Sequence, residues 1–279
     1  MGIDQEMMDI KRKQEIPITT PRTLREALDI HLGDVISLVG AGGKTTLMFA
    51  LSRELTAPER LVITTTTTKI FLPTSSDTPY LLVSRDEREI VEFILKKGIK
   101  FRHITLVSEK MNSSKKLQGI DPSLVSRLIK LGPVIHIIVE ADGAARRPLK
   151  APNPLYEPVI PGCTTLVITV VGIDALGCEL NEKYVFRSKI AAELTGMSLG
   201  EIVSSDAIAA LINHPLGLST GTPVHARIIP FINKVDINSS LSKARDVACK
   251  ILEKAGPQVD RVVLGHAQLP YPVAEVVYR

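Results

Sequence analysis

Apolar and polar positions fall along this chain in blocks of two kinds. Runs that are apolar almost throughout, DVISLVG (34–40), RLVITTTTT (60–68), HITLVSE (103–109), PVIHIIVEADG (133–143), TTLVITVVG (164–172), RIIPFINKVD (227–236) and DRVVLGHA (260–267), have the length and β-branched content of buried strands. PYLLVS (79–84) is a shorter candidate. Between them lie stretches with helical apolar spacing: KTTLMFALSREL (44–55), RDEREIVEFILKKG (85–98), PSLVSRLIKLG (122–132) and LSKARDVACKILEKAG (241–256). Thr23 and Glu26 form a capping-box pattern that opens a further short helix, TLREALDIHL (23–32), and Gly98 is expected to close the helix before it. Apolar strands alternating with amphipathic helices predict a mostly parallel sheet with helices on both faces. The texture loosens between about 175 and 226, where SKIAAELTG and SDAIAALIN predict short helices, so this region reads as an insertion in a single domain spanning 21–279. Residues 1–20 read as an N-terminal tail.

Composition narrows the function classes. Of 279 residues, 44% are apolar, enough for a large core, but only 4% are aromatic and none is Trp, which disfavours a surface built on base stacking. Thirty-four basic against 30 acidic residues leave a net charge of +4, too small to demand nucleic acid as a partner. The compact basic runs, Lys11-Arg12-Lys13 and Lys115-Lys116, read as solvated surface. Cys163, Cys178 and Cys249 are widely spaced, with no C-x-x-C pair, and read as reduced thiols rather than zinc ligands or disulfides. No apolar run approaches the ~20 residues of a membrane span, and the first residues lack a signal-peptide core, so a cytoplasmic protein without membrane contact is expected.

The chemistry starts at SLVGAGGKTTLM (37–48). In the pattern G-x-x-x-x-G-K-[ST] the first glycine should stand at position 38, which is Leu38. What remains is Gly40-Ala41-Gly42-Gly43-Lys44-Thr45-Thr46. Three glycines in four positions let the backbone turn tightly and approach an anion, Lys44 can neutralise phosphate charge, and Thr45 can offer its hydroxyl to Mg²⁺. The missing glycine reads as a strand extended by two residues ahead of a tighter turn. This short form resembles the phosphate loop of the Mur ligases, and the whole pattern predicts a three-layer, P-loop NTPase-like α/β fold.

Two further strand ends carry candidate chemistry. Asn233-Lys234-Val235-Asp236 matches N-K-x-D and resembles the guanine-recognition motif of GTPases. A carboxylate at Asp236 can accept from both guanine N1–H and the exocyclic amine, the Lys234 stem can cover the base, and Asn233 can brace the loop; adenine would leave that carboxylate short of a partner, at about 1–3 kcal/mol. Gly265-His266-Ala267 stands where GTPases carry a second base-contacting loop. Glu140 and Asp142, two apart at a strand end, are expected to face one side, one holding Mg²⁺ with Thr45 and the other orienting water; Asp142 is taken as the metal ligand. Lys44, Glu140 and Asp142 are thus the candidate catalytic set. Thr66, Thr67 and Lys69 leave the second strand at the same edge and can add metal or phosphate contacts. Arg146, Arg147 and Lys150 follow closely and suit either phosphate, an acidic substrate, a protein partner or plain solvent. Asp174, Arg187 and the histidines carry no functional assignment.

Taken together, VISLVGAGGKTTLMFAL, VITTTTTKIFLP, VEADGAARRPLKAP, VVGIDALG and IIPFINKVD resemble the YqeC family, named for accessory proteins of selenium-dependent hydroxylases. The resemblance implies a role in maturing a selenium-dependent molybdenum hydroxylase, with that enzyme or a molybdopterin cofactor carrier as partner. The residues themselves favour GTP, with Mg²⁺ and slow hydrolysis. An ATP-dependent small-molecule kinase or ligase, and a nucleotide-binding scaffold without turnover, stay open beside it.

Overall fold

The computed structural model describes residues 18–19, 21, 23–111, 115–236 and 238–279; the expected N-terminal tail with Lys11-Arg12-Lys13 lies almost wholly outside them. In chain order the first half contains β1 (Ile18–Thr19), α1 (Leu24–Ala27), β2 (Val35–Gly40), α2 (Lys44–Leu55), β3 (Leu61–Thr66), β4 (Lys69–Phe71), β5 (Leu81–Val83), α3 (Glu87–Phe93), β6 (His103–Val107), β7 (Glu109–Lys110), β8 (Lys116–Gln118) and α4 (Pro122–Leu128). The second half contains β9 (Val134–Glu140), β10 (Leu149–Lys150), β11 (Leu166–Gly172), β12 (Val185–Phe186), α5 (Ser188–Thr195), α6 (Ser205–Asn213), β13 (Arg227–Asn233), α7 (Leu241–Lys254), β14 (Arg261–Gly265) and β15 (Val273–Tyr278).

Ten strands form the main sheet in the order β1-β15-β14-β13-β11-β2-β9-β3-β6-β5. The eight from β14 to β5 run parallel, and β15 pairs antiparallel with both β14 and β1. Parallel strands must be covered on both faces, and alternation along β2 shows how. Ile36 and Leu38 point into one core with Leu24 and Leu28 and with Leu47, Met48 and Leu51 of α2. Val35 points the other way, to a core shared with Ile90 of α3 and Leu124 and Val125 of α4. Val39, on that same opposite face, meets residues of α5, α6 and α7. The result is a three-layer, P-loop NTPase-like α/β fold, as expected, with all eight parallel strands ending at one edge.

Several sequence expectations shift in detail. The helix at 23–32 is one turn, Leu24–Ala27, with Thr23 capping it by accepting from Glu26 N at 3.1 Å. Gly98 does not end its helix: α3 continues through a π-helical stretch, Ile94–Gly98, and an α-turn, Ile99–Phe101, before Arg102 turns left-handed at φ 58°. Gly98 packs closely on β3, where a Cβ would sit 2.8 Å from Leu61 Cδ2 and that side-chain end would have to shift. Lys115-Lys116 is not a plain solvated loop either. Lys116 belongs to β8 in a small antiparallel sheet, β4-β8-β7, that stands beside the carboxyl edge. Between β11 and β13 lie β12, α5 and α6, in the stretch read as an insertion. No helix among the described residues is long and apolar enough to cross a membrane.

Candidate functional site

At the carboxyl end of β2 the chain turns through Gly40, Ala41, Gly42 and Gly43 into α2. Leu38 is a fully buried strand residue paired with Glu140 and Ile168, so β2 does run two positions further than the longer loop pattern would allow. Gly40, Gly42 and Gly43 all have positive φ (95°, 81° and 122°). They are also crowded from behind: a Cβ at Gly40 would lie 2.4 Å from Val170 O, at Gly42 2.2 Å from Gly172 N, and at Gly43 2.4 Å from Asn233 Nδ2. Ala41, buried, donates its N–H to Val170 O at 2.8 Å. No side chain caps α2, as is also true of α5 and α7, and the residues of its first turn, Lys44, Thr45 and Thr46, line the space in front of the bend.

Four of the expected residues converge there. Lys44 Nζ donates to Gly40 O at 2.6 Å and lies 3.1 Å from Asp142 Oδ1 and 3.9 Å from Glu140 Oε1. Thr45 Oγ1 donates to Glu140 Oε2 at 2.6 Å. Burial works against the Lys44 ammonium, but the Asp142 carboxylate, and then Glu140, hold its pKa above the usual lysine value. Burial is also the main influence on Glu140, raising its pKa above the usual carboxylate range against the opposing pull of Lys44 and Thr45. The two acids are not placed by strand alternation: β9 ends at Glu140, and Asp142 lies in the loop beyond, turned inward. Asp142 Oδ2 accepts from Gly40 N at 3.0 Å and pairs with Lys150 Nζ at 2.8 Å.

Lys150 is the residue that sequence reasoning undervalued. It is completely buried, and it continues from Asp142 to Glu157 Oε2 at 3.0 Å, which Arg187 approaches at 2.8 Å. Three cations, Lys44, Lys150 and Arg187, therefore face three carboxylates, Glu140, Asp142 and Glu157, in one linked chain. The signal available was a lone lysine between Leu149 and Ala151; nothing local marked Glu157 or Arg187. Lys150 matters chemically because it keeps the Asp142 charge compensated if Lys44 swings toward an anion.

The other expected residues divide. Asn233 Nδ2 donates to Gly42 O at 2.8 Å, and its Oδ1 accepts from Ala267 N at 2.9 Å, so the side chain ties the glycine bend to the turn after β14. Lys234, left-handed at φ 62°, lines the cleft and pairs with Asp174 at 2.6 Å. Asp236 is exposed, lies outside the cleft lining, and accepts from Asn238 N at 2.9 Å. The hydroxyls of Thr66 and Thr67 are engaged by backbone oxygens of Glu140 and Val159, both at 2.7 Å, whereas Lys69 faces the cleft.

The cleft in front of the bend holds about 750 Å³. Gly42, Gly43, Lys44, Thr45, Thr46 and Glu140 form its floor. Thr45 and Glu140 offer oxygen donors that fit a hard divalent cation such as Mg²⁺, and no group of three His, Cys, Asp or Glu among the described residues forms a complete protein-only metal site.

A family model described as YqeC protein matches residues 36–189. The chain belongs to the YqeC family. A YqeC relative from Escherichia coli (strain K12), named "Uncharacterized protein YqeC", is 37% identical over 213 residues, covering 75% of this chain and 80% of that one. No solved structure matches. The YqeC segment takes in the glycine bend, Glu140, Asp142 and the buried chain through Arg187, while Asn233–Asp236 lie beyond it.

Proposed function

We propose that this protein binds a nucleoside triphosphate with Mg²⁺ at the glycine bend, GTP in preference to ATP, and hydrolyses it slowly. The observation that carries this reading is the buried cluster of Lys44, Thr45, Glu140 and Asp142 at the uncapped start of α2, at the floor of the cleft. The first amides of α2 supply donors for phosphate oxygens, and Lys44 exchanges Asp142 for phosphate while Lys150 continues to neutralise that carboxylate. The geometry favours Glu140 over Asp142 as the carboxylate that shares Mg²⁺ with Thr45, because Glu140 Oε2 already lies 2.6 Å from Thr45 Oγ1 whereas Asp142 is held at Oδ2 by Lys150 and Gly40 N. Mg²⁺ would neutralise charge developing on the transferred phosphoryl group.

The guanine preference is supported by Asn233, which joins the bend to the Ala267 amide, and by Lys234 and Gln268 at that end of the cleft. Asp236 accepts from Asn238 N outside the cleft lining, so it would have to turn inward to accept from the two adjacent guanine donors. The role in maturing a selenium-dependent molybdenum hydroxylase, through that enzyme or a molybdopterin cofactor carrier, rests on the family resemblance; the nucleotide would gate docking of the partner.

Calorimetric titration with GTP·Mg²⁺ and ATP·Mg²⁺ side by side tests the reading. GTP should bind at least tenfold more tightly, and Lys44→Ala should weaken triphosphate binding by about 2–5 kcal/mol. Equal affinities, or tighter ATP, remove the guanine part; binding of neither removes the whole. Glu140→Gln separates an NTPase from a scaffold, since a scaffold keeps nucleotide-dependent partner binding and loses no turnover.

A further inference from the structure

The cleft continues past the bend. Thr45, Phe49 and Arg53 line it from α2 at intervals of four residues, hence on one helix face. At 1.5 Å per residue, Arg53 lies about 12 Å further along the helix axis than Thr45. Lys69, Phe71, Lys116 and Arg146 complete this far arm. A triphosphate with its base beside Lys234 and Gln268 lies over β13 and β14 and ends over β2; the far arm stands on the other side of β9, at β3 and the small sheet. These cations are therefore not needed by the base end of the nucleotide.

Nor are their charges neutralised by acids of the protein. Among the described residues, Arg53, Lys69, Lys116 and Arg146 have no carboxylate within ion-pair distance. Lys234, in the same cleft, differs in pairing with Asp174, and Arg147 spends its Nε on the main-chain Glu182 O at 2.7 Å. Asp77, the acid on this arm, already accepts at Oδ2 from Thr74 N at 2.9 Å and Thr74 Oγ1 at 2.7 Å. Four cations without acidic partners along one cleft raise the local concentration of anions.

One of them is held at a conformational cost. Ala145 and Arg146 are consecutive non-glycine residues with left-handed φ of 46° and 59°. Such geometry persists where the surroundings over-determine it. Here Arg147 O accepts from Gly42 N at 3.0 Å, Arg147 N donates to Ala144 O at 2.9 Å, and Lys150 Nζ donates to Gly143 O at 2.6 Å. The outcome sets the Arg146 guanidinium 4.3 Å from the centre of the exposed Phe71 ring, with Lys116 Nζ at 5.3 Å from the same ring.

We infer that the far arm binds a second ligand, a small molecule carrying a phosphate or another group of at least two negative charges, beside the terminal phosphate of the nucleotide. The inference relies on the proposed function only for that neighbour. It gives the site an acceptor or cargo by chemical class, and it makes Lys69, Lys116 and Arg146 its recognition residues.

Inorganic pyrophosphate is the probe. With the bend filled by Mg²⁺ and guanosine 5′-(β,γ-imido)triphosphate, calorimetry should record pyrophosphate binding to the wild type. The triple variant Lys69→Ala/Lys116→Ala/Arg146→Ala should lose at least tenfold in pyrophosphate affinity and change imidotriphosphate affinity less than threefold, which also shows that it folds. Pyrophosphate affinity unchanged in the triple variant, or no binding to the loaded wild type, overturns the inference. Should the imidotriphosphate itself not bind, the proposed function fails, and pyrophosphate is titrated into Lys44→Ala alone and combined with the three substitutions. A tenfold difference between those two proteins then upholds the second site, and equal affinities overturn it.

Discussion

Asp142 holds Gly40 N and Lys150 on one oxygen, and the Lys44 ammonium lies 3.1 Å from the other. Asp142→Asn preserves the shape but leaves two buried ammonium groups sharing an amide. Removing one partner from such a buried set costs about 3–5 kcal/mol, so the variant should unfold at markedly lower urea, read by circular dichroism. Glu140→Gln keeps an acceptor for Thr45 and should lose far less. At this scale the sequence was legible where spacing carries meaning: the glycines with Lys44 and Thr45, and Asn233 as a brace. It was not legible where partners come from distant segments. Asp142 and Lys150 are eight positions apart, and Glu157 and Arg187 thirty, so no local pattern announces that these charges neutralise one another.

Elements were easier to read than their ends. The apolar runs at 34–40, 60–68, 133–143, 164–172 and 227–236 contain β2, β3, β9, β11 and β13, because a strand buried on both faces reads as a near-continuous apolar or β-branched run even where a residue such as Ser37 or Thr64 interrupts it. The helices 44–55 and 205–213 match α2 and α6 to the residue. The small sheet of β4, β7 and β8 was missed: its strands are two or three residues long, and β4 pairs with β8 across β5, α3 and β6. Asn233, at the end of β13, shows what element ends contribute. Asn233→Ala leaves Gly42 O and Ala267 N without a partner, at about 1–3 kcal/mol. Triphosphate affinity should fall about tenfold in calorimetry, with the base preference reduced along with it.

For the molecule as a whole, acid sensitivity should reside partly in β6. His103 is buried against Thr64, its Nε2 3.0 Å from Thr64 Oγ1, and burial, with Arg53 adding to it, pulls its pKa from 6.5 to about 4. The unfolded chain therefore binds the proton more readily than the folded one. This contribution is fully present above pH 6.5 and is lost as pH falls from 6.5 toward 4, by roughly 3 kcal/mol in total. Glu140, with its raised pKa, acts in the opposite sense above the ordinary carboxylate range, so the informative comparison is wild type against His103→Gln in urea titrations at pH 7 and pH 5. The wild type should lose more stability between the two. The glycine bend has a longer consequence for how this architecture can vary. Behind Gly40 and Gly42 stand main-chain atoms of β11, and main chain cannot be traded for a smaller residue by mutation. The anchor is thus fixed from within, and descendants of this chain can acquire new ligands only by redrawing the outer rim, from 69 to 73, at 116 and from 143 to 147.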